Sequence, residues 1–320
     1  MMKATLDNSP LVSVPVVTYN SAETIVETLD SIYNQTYPNI ELIVSDDASK
    51  DNTVEIVRQW METHKDRFVR TELITIPQNK GVSANYNRAT SASNGDWIKW
   101  MDGDDLLVPE AIAEYMHYVM SNEGIYWCFA RAKCFGGDVE QVEKWQRNHE
   151  CDFYNWAATA LLDYLYLSGG CPMFSPTAFC NRKKYVEAGI AADERVRNAE
   201  DRVMWVKMIE AGFKVGFVDK PLVEYRISEN SLSTRKTPPP SMILANQQFQ
   251  RFYTIPYIWR KGYKWLAIRL YMVNEREMTR SPFKRLSLKI LCRLLKILFG
   301  PIPTMYDVFN IRYAYWVENE

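Results

Sequence analysis

Long apolar runs are absent from this 320-residue chain: nowhere do about 18 uncharged apolar residues follow one another, so no membrane-spanning helix is expected. Residues 1–10 hold no apolar stretch of the kind a signal peptide needs, which makes the cytoplasm the expected location. Net charge is nearly absent as well. The 38 Lys and Arg against 39 Asp and Glu leave −1, whereas a surface that tracks phosphates leaves a basic excess, so no nucleic-acid partner is expected. The six cysteines, Cys128, Cys134, Cys151, Cys171, Cys180 and Cys292, show no close paired spacing. A chain this long does not depend on disulfides for its core, and reduced thiols are expected. What remains is ordinary globular composition, 47% hydrophobic and 24% charged, in a length that suits one large α/β domain with an appendage, or two domains.

Residues 11–18 form a β-branched run between Pro10 and Tyr19-Asn20-Ser21, the pattern of a buried strand closed by turn residues. A helix follows over residues 24–33, with Ser21 as N-cap and Ile25, Leu29 and Ile32 on one face. Residues 40–45 repeat the strand pattern and end in Asp46-Asp47, and one of Asp51, Asn52 or Thr53 caps a helix to about His64. A third apolar segment spans residues 68–76, and Gln78-Asn79-Lys80-Gly81 is loop chemistry ahead of a small-residue helix over residues 82–93. With a fourth strand over residues 97–101, the alternation predicts parallel βαβ units with right-handed crossovers.

A helix at residues 109–121 and a strand at residues 124–133 extend this pattern. Residues 134–179 are irregular and rich in aromatics, with Gly136-Gly137, Gly169-Gly170, Pro172 and Pro176 as punctuation, which suits a second, partly antiparallel region beside the sheet. Residues 182–188 and 198–211 read as helices, the latter opening on Glu200-Asp201; residues 214–218 and 222–225 read as short strands. Pro238-Pro239-Pro240 marks a break, placing a domain boundary between residues 1–235 and 236–320. Beyond it, residues 280–296 hold six basic residues and no acid. Arg285, Lys289, Arg293 and Lys296 make a stripe, while Leu286, Ile290, Leu291, Leu294, Leu295 and Leu298 cover the rest. Such a helix is suited to lie in a membrane interface with its cations toward anionic lipid, or else to pack on the core with solvated lysines.

The stretch that carries most chemistry is Gly95-Asp96-Trp97-Ile98-Lys99-Trp100-Met101-Asp102-Gly103-Asp104-Asp105, a strand ending in three carboxylates. Open α/β sheets bind ligands at the carboxyl ends of their strands. Asp102 and Asp104 fall on one side of an extended chain, and one or two carboxylates with substrate phosphates are the usual shell of Mg²⁺ or Mn²⁺. The same composition is also that of a solvated turn. Glu200 and Asp201, likewise, either carry chemistry or simply counter the dipole of the helix they open.

Several separated segments resemble one family, the inverting family 2 nucleotide-sugar glycosyltransferases of the GT-A fold. They are Val12-Ser13-Val14-Pro15-Val16-Val17-Thr18-Tyr19-Asn20, Ser31-Ile32-Tyr33-Asn34-Gln35-Thr36, Ile43-Val44-Ser45-Asp46-Asp47-Ala48-Ser49, Asn79-Lys80-Gly81-Val82-Ser83 and Met101-Asp102-Gly103-Asp104-Asp105. Ala199-Glu200-Asp201-Arg202-Val203-Met204-Trp205, Ala211-Gly212-Phe213-Lys214-Val215 and Tyr225-Arg226 continue the series, which covers roughly residues 11–235. The resemblance implies a mostly parallel, Rossmann-like sheet flanked by helices, an acceptor-side subregion, and a C-terminal helical extension outside the family pattern.

It also implies hexosyl transfer from a nucleoside diphosphate sugar, by default a UDP-sugar, to a glycan acceptor. Donor contacts would come from Thr18, Tyr19, Asn20, Asp46, Asn79, Gly81, Asp102 and Arg226. Asp104, with Asp102, would hold Mn²⁺ or Mg²⁺ as a DXD motif, with Asp105 orienting the ligands. Asp201 would be the general base and Glu200 its helper. Many relatives carry a histidine two residues past the arginine that can complete the metal shell; Ser228 stands there, and none of His64, His117 and His149 falls in a matched segment. The pathway implied is bacterial capsule, O-antigen or exopolysaccharide synthesis on an undecaprenyl-diphosphate-linked acceptor, with the protein peripheral on the inner face of the cytoplasmic membrane. A noncatalytic sugar-binding subunit would show damaged acids, and a nucleotidyltransferase would want a Gly-rich basic loop where Thr18-Tyr19-Asn20 stand.

Overall fold

The computed structural model describes residues 9–138, 140, 142–143, 153–168, 171–228 and 239–299. Pro238, the expected boundary at residues 235/236, Gly169-Gly170, Cys151 and His149 lie outside them. Two compact units divide the chain, residues 1–155 with 172–236, and residues 156–171 with 237–320.

The strands are β1 (Val12–Thr18), β2 (Ile40–Asp46), β3 (Arg70–Thr75), β4 (Trp97–Ile98), β5 (Met101–Asp102), β6 (Leu106–Leu107), β7 (Trp127–Phe135), β8 (Phe179–Asn181) and β9 (Val215–Arg226). The helices used below are α1 (Ile25–Tyr33), α2 (Thr53–His64), α3 (Val82–Ala92), α4 (Ala111–Ser121), α5 (Ala158–Leu167), α6 (Arg182–Glu187), α7 (Glu200–Glu210), α8 (Pro240–Phe249), α9 (Ile255–Arg260), α10 (Lys264–Met278) and α11 (Pro282–Phe299).

In the first unit one sheet runs β3-β2-β1-β4-β8-β7-β9-β6, with β5 also against β1. β1 is parallel to β2, β4 and β5, β2 is parallel to β3, and β7 is parallel to β9. β8 runs antiparallel between β4 and β7, and β6 antiparallel to β9, so the mixed half begins where the sequence loses its βαβ rhythm. Every residue of β1 and β2 is buried, as expected of central strands covered on both faces. Ile25, Leu29 and Ile32 of α1 and Val57, Trp60 and Met61 of α2 close the core on this side.

Three expectations need correction. The strand read over residues 97–101 is two short pieces, β4 and β5, with Lys99 and Trp100 between them in neither. Pro15 explains the break. Ser13, two residues earlier on the same edge of β1, accepts from the Lys99 amide at 2.9 Å, but Pro15 has no N–H with which to continue that ladder. The two short strands read over residues 214–218 and 222–225 are instead one, β9, whose register against β7 slips around Ala130, Arg131 and Ala132. The slip absorbs Pro221 and lets the strand bend without ending. Ser21 helps start α1 through its carbonyl, which accepts from Thr24 and Ile25, rather than through a side-chain cap.

The second unit is helical: α5, α8, a π-turn over Gln250–Thr254, α9, α10 and α11. Tyr166 of α5 stacks on Tyr257 at 3.9 Å between centroids, and Thr254 donates to the Tyr166 carbonyl at 2.7 Å. The described cysteines, Cys128, Cys134, Cys171, Cys180 and Cys292, form no disulfide with one another. No helix among the described residues is long and apolar enough to cross a membrane.

Candidate active site

The carboxyl edge of the sheet brings three of the sequence-derived residues side by side. Thr18 is the register partner of Asp46, and Val17 that of Asp102, so the ends of β1, β2 and β5 meet at one level. Thr18 is buried and its hydroxyl has no hydrogen-bond partner. Tyr19 projects outward at 43% exposed, and Asn20 sits in the left-handed region at φ 54°. Asn20 ties the β1 loop to the β2 loop: its amide donates to Ser49 Oγ at 2.8 Å, and its Oδ1 accepts from the Lys50 amide at 2.8 Å.

Asp46 is turned into its own loop, accepting from the Ser49 amide at 2.8 Å and from the Ser49 hydroxyl. The neighbouring Asp47 does the longer-range work. Its carboxylate accepts from the Lys80 and Gly81 amides at 3.0 and 2.7 Å and pairs with Arg88 at 3.1 Å, while its carbonyl accepts from Asn79 Nδ2 at 3.1 Å. The Asn79-Lys80-Gly81 loop is thereby fixed to the end of β2. Gly81 has φ 92°, a backbone that side chains rarely adopt, and a Cβ there would meet Arg197 Nε at 3.1 Å.

The acidic turn is equally tight. A Cβ on Gly103 would come within 3.1 Å of both Ser21 Oγ and Thr18 Oγ1, and the Gly103 carbonyl accepts from Thr24 Oγ1 at 2.8 Å. Asp102 Oδ1 accepts from the Tyr86 hydroxyl of α3 at 2.9 Å. Asp105 is buried, takes the Arg226 amide at 3.0 Å on one oxygen, and leaves its other oxygen without a partner. Arg226, delivered by the end of β9, donates to the Asp104 carbonyl at 2.9 Å and to Glu27 at 2.8 Å, and lies over the Phe135 ring. Its guanidinium braces the turn from behind.

Glu200 and Asp201 open α7 and belong to the same electrostatic neighbourhood. Tyr86 is pushed well above the ordinary phenol range by burial and by the charges of Asp102, Glu200 and Asp201. Burial raises Asp201, while the Arg202 amide, 2.5 Å away, and its guanidinium pull it back. Burial and the adjacent Asp201 drive Glu200 well up. In the turn, burial and Asp102 lift Asp104 to about 6; burial and Asp104 drive Asp105 well up; burial raises Asp102 against the Tyr86 bond and Lys99.

Beneath them lies Lys99, fully buried and held down to about 7 by desolvation. Its Nζ donates to the Trp100 carbonyl at 2.8 Å and the Pro176 carbonyl at 2.6 Å. Sequence reasoning gave roles to neither Lys99, Tyr86 nor Asp47. A lysine between Ile98 and Trp100 in an apolar strand was a visible signal; for Tyr86, one aromatic in a small-residue helix, there was none.

Buried carboxyl groups in excess of nearby cations, with an orphaned oxygen on Asp105, fit a divalent cation. Among the described residues no three Asp, Glu, His or Cys side chains converge closely enough to hold one unaided.

A mostly parallel sheet with this acidic edge places the protein in the GT-A class of glycosyltransferases. The structure of Staphylococcus aureus TarS residues 1–349 in complex with UDP-GlcNAc superimposes with a TM-score of 0.60 over 85% of this chain and 74% of that one, at 19% identity. Residues 13–189 match glycosyl transferase family 2, and the chain belongs to that family. It is 25% identical over 227 residues to TuaG of Bacillus subtilis (strain 168), a glycosyltransferase assigned by name to teichuronic acid biosynthesis, covering 71% of this chain and 83% of TuaG. It is also 25% identical over 231 residues to the Escherichia coli UDP-Glc:alpha-D-GlcNAc-diphosphoundecaprenol beta-1,3-glucosyltransferase WfaP, covering 71% and 81%.

Proposed function

We propose that this glycosyltransferase moves a sugar from a UDP-sugar to a lipid-linked glycan acceptor with inversion, in the synthesis of a bacterial surface polysaccharide. The observation that carries the reading is the meeting of the β1, β2 and β5 ends, where Thr18 stands in register with Asp46 and Val17 with Asp102, and Tyr86 bonds Asp102 at 2.9 Å. Donor and base chemistry would then share one electrostatic neighbourhood. Thr18, Tyr19 and Asn20 would face the nucleotide at the strand ends, Asp46 would reach it on giving up its bonds to Ser49, and the Asn79-Lys80-Gly81 loop would approach the nucleoside.

Asp104 and Asp102 would hold Mn²⁺ or Mg²⁺, which stabilises the departing diphosphate. Arg226 keeps the turn closed and, if its contact with Glu27 yields, offers the diphosphate a two-pronged donor. Asp201 takes the proton of the attacking hydroxyl. Its raised pKa suits that task, because a base works best when its pKa approaches the working pH. Direct displacement by that hydroxyl gives the inverted product. The names of TuaG and WfaP support polysaccharide assembly, and WfaP supports a diphosphoundecaprenol acceptor. The basic helix α11 supports peripheral attachment to the inner face of the cytoplasmic membrane.

The test is a panel of UDP-, GDP- and dTDP-sugars assayed for hydrolysis and transfer, with wild type expected to use a UDP-sugar. Asp201→Asn should bind that donor normally and lose transfer by about 100-fold or more, in the range of general-base losses. Normal turnover by this variant would remove Asp201 from the role. Calorimetry should also show UDP binding tightened by Mn²⁺; equal affinity with and without the ion would refute the metal assignment.

A further inference from the structure

The cations of α11 do not share one environment. Lys284 pairs with Glu275 at 2.9 Å and Arg285 lies 3.9 Å from Glu277, whereas Lys289, Arg293 and Lys296 have no acidic partner among the described residues. These three line a cavity of about 440 Å³ between α10 and α11, together with Arg269 and Arg276 from α10. Arg276 also pairs with Glu277 at 2.5 Å. Among the described residues no carboxylate lines the cavity, and the other described residues of its wall are Val273, Cys292 and Leu295. Its volume falls within the range of small-molecule sites, about 300–1,000 Å³. Lys289, Arg293 and Lys296 bring three like charges to one space, and an anion placed among them relieves their repulsion.

A second feature of α11 says what kind of anion fits. Phe283, Leu286, Ile290, Leu294 and Ile297 recur at three- and four-residue spacing and are 49–81% exposed, an apolar row left open along the helix. At 3.6 residues per turn, Lys289, Arg293 and Lys296 fall along the border of this row rather than opposite it. A ligand that satisfies both features has an anionic head and a hydrocarbon body.

We infer that the cavity between α10 and α11 binds the diphosphate headgroup of a membrane lipid, with the exposed row of α11 lying in the acyl layer. The head is a diphosphate rather than a single phosphate because the three cations without an acidic partner, Lys289, Arg293 and Lys296, match the charge of two phosphate groups better than that of one. The inference rests on the lipid-linked acceptor reading above and names the part of the acceptor carrier that the helical unit recognises.

The test uses the full chain with phosphatidylcholine vesicles carrying a polyprenyl diphosphate, and with vesicles carrying phosphatidylglycerol at matched surface charge. Flotation should favour the diphosphate vesicles, and inorganic pyrophosphate should displace the wild-type protein from them. Lys289→Gln, Arg293→Gln and Lys296→Gln combined should weaken binding about 100-fold, each cation near an anionic surface contributing a factor of about five. The combined control Arg280→Gln, Lys284→Gln and Arg285→Gln removes the same charge outside the cavity and should weaken it far less.

Equal losses in the two triple variants, equal binding to both anionic vesicles, or no displacement by pyrophosphate would assign binding to surface charge alone and overturn the site. The pyrophosphate arm needs no variant and so does not depend on the triple variants folding. UDP-sugar hydrolysis without lipid reads the donor chemistry separately. Headgroup binding lost with hydrolysis intact sinks only this site, and the reverse sinks only the donor reading.

Discussion

Lys99 is a single residue whose own charge is decided by where the fold buries it. Its ammonium lies fully buried under Asp102 and Asp105, the two carboxyls whose charge acts on it most strongly. Desolvation holds it at about 7 in the folded chain, against 10.5 for an exposed lysine. Between those values the unfolded chain binds the extra proton, so stability rises with pH across that window. Below about 7 both states are protonated and the penalty of the buried charge is felt in full. Lys99→Met should flatten this rise. Urea unfolding of both proteins at intervals between pH 7 and 10 checks it, and an unchanged slope would mean that Lys99 stays protonated throughout.

At the scale of elements, the first half of the sheet was legible because β-branched runs alternate with amphipathic helices, and turn residues punctuate them. The break at Lys99-Trp100 was not, because it originates in Pro15 on the neighbouring strand, more than 80 residues earlier. Nor did residues 134–179 disclose that α5 groups with the C-terminal helices, since hydrophobic period says which face is buried and not against what. In the candidate site, the acids Asp46, Asp102, Asp104 and Asp201 stood out through the family resemblance of their segments. Asp47, Tyr86 and Lys99 did not, since their roles depend on contacts from other elements.

Gly95 is the tightest point in this part of the sheet. A Cβ there would fall 2.6 Å from the Ser13 amide and 2.8 Å from the Leu11 carbonyl, and backbone cannot step aside as a flexible side chain can. The Gly95 amide also donates to Ser13 Oγ at 2.8 Å and to the buried Glu41 at 3.0 Å. Gly95→Ala should therefore lower stability by about 1–3 kcal/mol, the usual range for overpacking a core. Urea denaturation measures it, and a loss below about 0.5 kcal/mol would show that the β1–β4 junction relaxes freely.

Over the whole molecule the charge sums to −1, yet residues 280–296 carry six basic residues and no acid. Such segregation makes surface attraction local and dependent on salt. Screening shortens from about 10 Å at 0.1 M salt to about 3 Å at 1 M, so vesicle binding should fall steeply over that range. Donor hydrolysis in solution, governed by a buried site, should change far less. Co-sedimentation and a hydrolysis assay across the same salt series separate the two, and parallel losses would argue against two independent functions.

The grip of Asp47 on the Lys80 and Gly81 amides bears on the thermodynamics of donor binding. Because those amides are already tied to the end of β2, the loop is ordered during folding rather than on arrival of the nucleotide. On the proposed reading, the association carries little conformational entropy loss from this loop, and affinity reflects the contacts made rather than the work of assembling them. A relative with a small residue in place of Asp47 would have to order the loop afresh at each turnover.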